Sequence, residues 1–154
     1  QEAGNHLKRV SEYSHMLAIS YGLSSEKAEI IRLASPLYDV GKVGIPDLVL
    51  NKPGKLEADE WKVMQDHAYL GHEMLKDSKR PVLRAGATIT LEHHEHWSGA
   101  DYPSGKADED IYLYGRIASL ADVFDALGSQ RCYKEPWELD RIMDHLQTGR
   151  GAQL

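Results

Sequence analysis

Apolar residues recur along this chain at intervals of three and four, the spacing that gathers side chains on one face of a helix. Leu7, Val10, Ser14, Leu17 and Tyr21 mark the face of a first helix, and Gly22 follows as its stop. Ser24 or Ser25 can cap a second helix carrying Ile31, Ala34 and Leu37, in which Pro36 removes one backbone hydrogen bond and bends the last turn. Three glycines and two prolines between Gly41 and Leu56 predict a loop. A third helix, near Glu57 to Lys76, has its stripe at Trp61, Met64, Ala68, Gly71 and Leu75, with His67 at the stripe's edge. A fourth runs from about Val82 to Glu95 and ends in His93-His94. Turn residues from Trp97 to Gly105 predict a second loop. A fifth helix, about Leu113 to Gly128, carries Ile117, Leu120, Phe124 and Leu127, and a last one carries Leu139, Ile142, Met143 and Leu146. Trp61 and Phe124 are expected in the core. No strand pattern or internal repeat interrupts this, so the expected fold is an all-α bundle of about six helices.

Composition sets the chemical frame. The 154 residues are 42% hydrophobic without a long apolar run, which describes one soluble domain spanning 1–154. The net charge of −6 argues against a nucleic-acid polymer or an anionic membrane surface as partner. Bound cations could cancel part of that charge locally, so a phosphate-bearing ligand stays open. Cys132 is the single cysteine, leaving no disulfide framework or thiolate zinc site and fitting a reducing, cytoplasmic setting. The first residue is Gln1 and Glu2 to His6 already reads as helix, so the chain is expected to be a fragment of a longer protein, cut short at its C-terminal end.

Four segments concentrate residue types that hold metal ions: Asp39, His67, the pair His93-His94, and Asp122. Imidazole and carboxylate together suit Zn, Mn, Fe or Ni, and point to hydrolytic or phosphoryl chemistry. Glu2 and His6, four residues apart, stack on one helix face as a further ligand pair would. Neighbouring helical residues point about 100° apart, so His93 and His94 share an ion only where their helix is ending. Each residue also has a plainer use. Asp39 and Asp122 can cap helices or pair with arginines, His67 can be an interior histidine, and Lys42, Arg131 and Lys134 can be surface charges.

In order along the chain, Glu2-x-x-x-His6, Asp39-Val40-Gly41-Lys42-Val43-Gly44-Ile45-Pro46, His67, His93-His94-Glu95-x-Trp97-x-Gly99-x-x-Tyr102-Pro103 and Ala121-Asp122-Val123-Phe124-Asp125-Ala126-Leu127 resemble the HD-GYP family of the HD phosphohydrolase superfamily. The resemblance covers essentially the whole chain. It implies an all-helical domain with two or three metal ions, often iron or manganese, that hydrolyses cyclic di-GMP to pGpG or GMP through a metal-activated hydroxide. By position it implies Glu2, His6, Asp39, His67, His93, His94 and Asp122 as ligands, with Asp39 bridging two ions. Lys42 would stand beside the scissile phosphate, as a catalytic residue with Asp39. Lys42, Tyr102, Pro103, Arg131 and Lys134 would hold the dinucleotide, Trp97 would help shape the mouth, and Asp125 would support a ligand or pack helices. A diguanylate cyclase domain, met through the 97–105 loop, is the candidate protein partner, and a homodimer the candidate assembly.

Two positions depart from the family pattern. Tyr38 stands where the family has the histidine of His-Asp, and a phenol with an ordinary pKa near 10 would ligate only as a metal-stabilised phenolate. Asp101 replaces the first glycine of Gly-Tyr-Pro, where a left-handed backbone angle would suit Asp less well. Three functions follow: a cyclic di-GMP phosphodiesterase, a non-catalytic receptor or interaction module that binds through the loop around Asp101-Tyr102-Pro103, or an HD-type hydrolase of another phosphate ester.

Overall fold

The computed structural model describes residues 2–130 and 134–154. The chain runs through α1 (Glu2–Tyr21), α2 (Ser25–Ala34), α3 (Asp47–Leu50), α4 (Ala58–Leu75), α5 (Pro81–Glu92), α6 (Leu113–Gly128) and α7 (Leu139–Thr148), and no strand occurs among the described residues. Local chemistry sets several ends. Ser24 caps α2 by accepting from the Lys27 N–H at 3.2 Å, and Glu57 and Glu60 form a reciprocal capping box at the start of α4. Pro81 opens α5, where its missing N–H costs nothing.

The core lies where α1, α2, α5 and α6 meet. Alanines at 18, 28, 34, 118 and 121 are 0–2% exposed and let the helix backbones approach closely, while Val10, Ile31, Ile89 and Ile117 fill the space between them. Each such aliphatic side chain stabilises the fold by about 1.5–3 kcal/mol. α5 is central, packing on α2, α4 and α6.

Several expectations need correcting. α2 stops at Ala34 and the chain tightens into a 3₁₀ turn at Ser35–Leu37 around Pro36, which has no N–H to continue an α-helix. The expected loop from 41 to 56 holds a second 3₁₀ turn, Val40–Gly44, and the short α3. Trp61 is not core but 47% exposed, because it lies in the first turn of α4, ahead of the His67–Gly71 stretch that meets its neighbours. Phe124 is half-buried, edge-on to Tyr13 at 5.1 Å, and Tyr21 turns out at the end of α1 with 65% exposure.

One close approach fixes the site. A Cβ at Gly41 would lie 1.9 Å from the His67 carbonyl oxygen and 2.5 Å from the Gly71 nitrogen, so the turn carrying Asp39 rests directly on the backbone of α4.

Candidate metal centre

Four donors converge from three places: Asp39 from the turn after α2, His67 from α4, and His93 and His94 from the end of α5. One ligand atom of each lies within 4.8 Å of all the others. Asp39 adopts φ −105° and ψ 12°, the sparsely populated bridge region often found at active sites. α5 ends at Glu92 with His93 as its C-cap, and His93 and His94 reach the same point, their ring centroids 3.9 Å apart.

Both buried imidazoles are aimed by the backbone. His67 Nδ1 donates to the Met64 carbonyl at 2.7 Å and His93 Nδ1 to the Thr90 carbonyl at 2.9 Å, which leaves each Nε2 with its lone pair toward the centre. His67 Nε2 lies 3.3 Å from Asp39 Oδ1 and 3.2 Å from His94 Nε2, and the buried His93 Nε2 lies 3.5 Å from Asp39 Oδ1, outside hydrogen-bond geometry. Burial first, and then the neighbouring His93 and His67, push His94 down to about 2, so its imidazole is neutral at ordinary pH. Burial alone would raise Asp39, but its close contacts with His67 and His93, and the Lys42 ammonium, outweigh burial and hold it well below the usual carboxylate range. Three imidazoles and one carboxylate closing on one point, with the buried His93 Nε2 3.5 Å from Asp39 Oδ1 and outside hydrogen-bond geometry, are a donor set able to hold a metal ion.

A second group lies across Tyr38. His6 Nε2 is 2.6 Å from the Tyr38 hydroxyl, which donates to Asp122 Oδ1 at 3.1 Å. His6 Nδ1 is 2.5 Å from Asp125 Oδ2, and Arg9 Nε donates to Asp125 Oδ1 at 2.6 Å. Arg9 also takes Glu2 Oε1 at 2.8 Å, leaving that carboxylate 67% exposed on the outside of α1. The structure therefore brings His6 and Asp122 together, but ties Glu2 to Arg9 rather than to either group. Contact with Asp122 holds the His6 imidazole above its ordinary value against burial, and Asp125 adds to this.

Arg9 was not singled out by sequence, although it shares a face with Glu2 and His6. Burial would raise Asp125, and the hydrogen bonds from Arg9 and His6 outweigh it, so its folded pKa is depressed. Such a group stabilises the fold above its unfolded pKa of about 3.9, and the gain is lost as pH falls through the folded value. Arg9→Ala is expected to cost about 2 kcal/mol at pH 7, by leaving the 2% exposed Asp125 carboxylate with one fewer partner, and to cost less at an acid pH below the depressed folded value, where the carboxyl is protonated in both states. Urea unfolding at the two pH values measures both.

Two glutamates that the sequence reading left without a role hold the loop beside the centre. Glu95, 3% exposed, accepts from the backbone N–H groups of Ser104 at 2.8 Å and Lys106 at 3.1 Å. Glu92, 4% exposed, accepts from the Tyr112 N–H at 2.7 Å and the Lys106 ammonium at 2.5 Å. Two acidic residues three apart at a helix end, before a turn-rich loop whose amides need acceptors, were the available signal. Glu95→Ala is expected to cost about 2 kcal/mol. Hydrogen exchange at the Ser104 and Lys106 amides would then speed up before exchange in α5 does.

The tied loop lays Tyr102 over His94, rings stacked with centroids 4.6 Å apart, and sets it edge-on to the exposed Trp61 at 6.2 Å. Pro103 follows on the surface. Asp101 does not take the left-handed angle considered for it; among the described residues outside glycine only Asp108 does. Its Oδ1 instead accepts from the Tyr102 N–H at 2.8 Å and its Oδ2 faces His96 Nε2 at 3.1 Å, so the substitution is absorbed by the loop's own hydrogen bonds. Lys42 Nζ lies 2.9 Å from Asp39 Oδ2, at the rim of the centre. Lys134 lies over the Trp137 ring at 4.5 Å rather than on the metal cluster, and Arg131 falls outside the described residues.

A family model described as an HD domain matches residues 1–154. A 3′3′-cGAMP-specific phosphodiesterase of Vibrio cholerae is 48% identical over 154 residues, which are 100% of this chain and 30% of that protein. A cyclic di-GMP phosphodiesterase response regulator of Xanthomonas campestris is 47% identical over 94% of this chain and 38% of its own length. A cyclic di-GMP phosphodiesterase of Thermotoga maritima is 39% identical over 97% of this chain and 41% of its own length. The chain thus spans 30 to 41% of the length of these relatives. The crystal structure of a cyclic GMP-AMP specific phosphodiesterase of V. cholerae has the same fold, with a TM-score of 0.68 at 18% identity over 97% of this chain and 40% of that one.

Proposed function

The chain belongs to the HD domain family, and from that membership we propose that it is a metal-dependent phosphodiesterase that opens a cyclic dinucleotide, either cyclic di-GMP or 3′3′-cGAMP, to a linear product. What supports this reading is the convergence of Asp39, His67, His93 and His94 on one point, where the buried His93 Nε2 lies 3.5 Å from Asp39 Oδ1 and outside hydrogen-bond geometry. The donor set suits iron or manganese, and also zinc or nickel. When bound there, such an ion supplies Lewis-acid stabilisation of phosphoryl oxygens and acidifies water.

The chain's own residues do the rest. The Met64 and Thr90 carbonyls keep His67 and His93 in the tautomer whose Nε2 faces the centre. Lys42 stands where its ammonium can neutralise charge growing on a phosphoryl oxygen as the ester opens. Trp61 and Tyr102 give the mouth an aromatic surface on which either purine can stack. Trp61→Ala is expected to raise KM about tenfold with little change in kcat, because stacking of one base is worth about 1–3 kcal/mol and acts equally on ground and transition states. Steady-state kinetics on both nucleotides checks this.

A receptor that binds without cleaving is the second reading, favoured by the phenol of Tyr38 lying between His6 and Asp122. Lys134 and Arg131 would contribute to dinucleotide binding from the connection between α6 and α7. A diguanylate cyclase domain docked on the 97–105 loop, and a homodimer, are compatible with either reading; co-elution with such a domain and light scattering test them. No helix among the described residues is long and apolar enough to cross a membrane. The deciding experiment loads the chain with Mn²⁺ or Fe²⁺, adds each cyclic dinucleotide, and follows linear product by chromatography. Product supports the enzyme. Saturable binding without product supports the receptor, and neither binding nor cleavage of these two, with hydrolysis of another phosphate ester, supports the third function.

A further inference from the structure

Tyr38 is buried between two groups of donors. Its ring, 5% exposed, stands edge-on to His93 at 5.1 Å, while its hydroxyl lies 2.6 Å from His6 Nε2 and 3.1 Å from Asp122 Oδ1. Those two atoms are themselves 3.3 Å apart, a spacing at which an imidazole nitrogen and a carboxylate oxygen could share a cation. The Tyr38 hydroxyl occupies the shared point instead and donates to Asp122. The surroundings hold this arrangement in place. His6 Nδ1 is engaged by Asp125, Asp125 is 2% exposed and gripped by Arg9, and Arg9 also takes the Glu2 carboxylate. Neither His6 nor Glu2 can turn to a new ligand without breaking that chain of contacts.

We propose that Tyr38 takes the place of a second cation: hydrogen bonds close the group of His6, Tyr38 and Asp122, and the chain holds its metal only at Asp39, His67, His93 and His94. The inference shares its metal centre with the proposed function but does not depend on turnover. It differs from the two or three ions that the family resemblance implies, and the difference arises from one side chain. Replacing the phenol by imidazole adds a neutral nitrogen donor beside His6 and Asp122, next in sequence to Asp39, and so restores a set able to hold an ion.

The test counts metal in the full chain, stripped, reloaded with Fe²⁺ or Mn²⁺, desalted and analysed by elemental mass spectrometry. The native chain and Tyr38→Phe are each expected to carry about one ion, and Tyr38→His about two. After oxidation, the iron-loaded native chain is expected to lack a visible phenolate-to-iron absorption band. A native chain with two ions, falling to one in Tyr38→Phe with loss of such a band, would overturn the proposal by making Tyr38 a ligand. A folded Tyr38→His that stays at one ion would overturn it too. Tyr38→Phe keeps the ring's volume in the core, so the native and phenylalanine pair decides the matter even where the histidine variant does not fold. One ion without cleavage would sink the proposed function alone, two ions with cleavage would sink this inference alone, and no ion at all would sink both.

Discussion

Asp39→Asn is expected to remove tight metal binding and to lower turnover of a cyclic dinucleotide by roughly 10³-fold or more, with helix content unchanged. Asp39 is the one carboxylate of the four-donor group, so the amide leaves a dication facing three imidazoles with no carboxylate to balance its charge. Several kcal/mol of transition-state stabilisation go with the ion, and each 1.36 kcal/mol is about tenfold in rate. Shape is conserved, because asparagine matches aspartate in volume and can sit on the same turn. The loss should therefore appear in calorimetric metal titration and in product formation, while the far-ultraviolet circular dichroism of the metal-free chain stays as it was. A variant that binds metal as the native chain does would remove Asp39 from the centre.

Gly41→Ala is expected to destabilise the fold by about 3 kcal/mol or more, lowering Tm by roughly 6–12 °C for a chain of this size. The added methyl would meet the His67 carbonyl oxygen at 1.9 Å and the Gly71 nitrogen at 2.5 Å. Both are backbone atoms of α4, so relief requires moving a whole helix away from the Val40–Gly44 turn. That movement would also separate His67 from Asp39, and metal affinity should fall with stability. Gly4→Ala is the matched control. Nothing lies within 4 Å of its added methyl in α1, and removing a glycine from a helix is expected to be neutral or to stabilise by about 0.5–1 kcal/mol. Thermal unfolding of the two variants should move in opposite directions or differ by several degrees.

Helices were legible in this sequence because their stripes run for three turns or more, and α1, α4 and α6 lie close to where periodicity puts them. Their ends were less so. α5 stops at Glu92 rather than Glu95, where the Glu92 side chain accepts from the Tyr112 N–H, a distant partner that no local pattern announces. Trp61 continues the apolar stripe of α4 and yet is exposed, since a stripe records which residues share a face and not how far along the helix a neighbour reaches. Nothing local says that Asp39, His67 and His93 meet. That convergence depends on Gly41 letting a turn rest on α4, a contact between residues 26 positions apart, and it was reached from sequence through resemblance. Glu92 and Glu95 looked like ordinary acids at a polar helix end; their role as acceptors depends on backbone amides nine or more residues away. A single basic residue on a helix is usually solvated, and nothing local marks Arg9 as different. Its partner Asp125 becomes visible only when α1 and α6 are docked.

The central claim is that the group of Asp39, His67, His93 and His94 binds the metal that cleaves a cyclic dinucleotide. It is tested most directly by titrating Mn²⁺ into the chelator-stripped chain and into His94→Ala while recording bound metal and linear product in the same samples. The expected result is product that rises in step with occupancy in the native chain, and loss of both in His94→Ala. Cleavage that persists after stripping, or metal uptake by His94→Ala equal to that of the native chain, would contradict it.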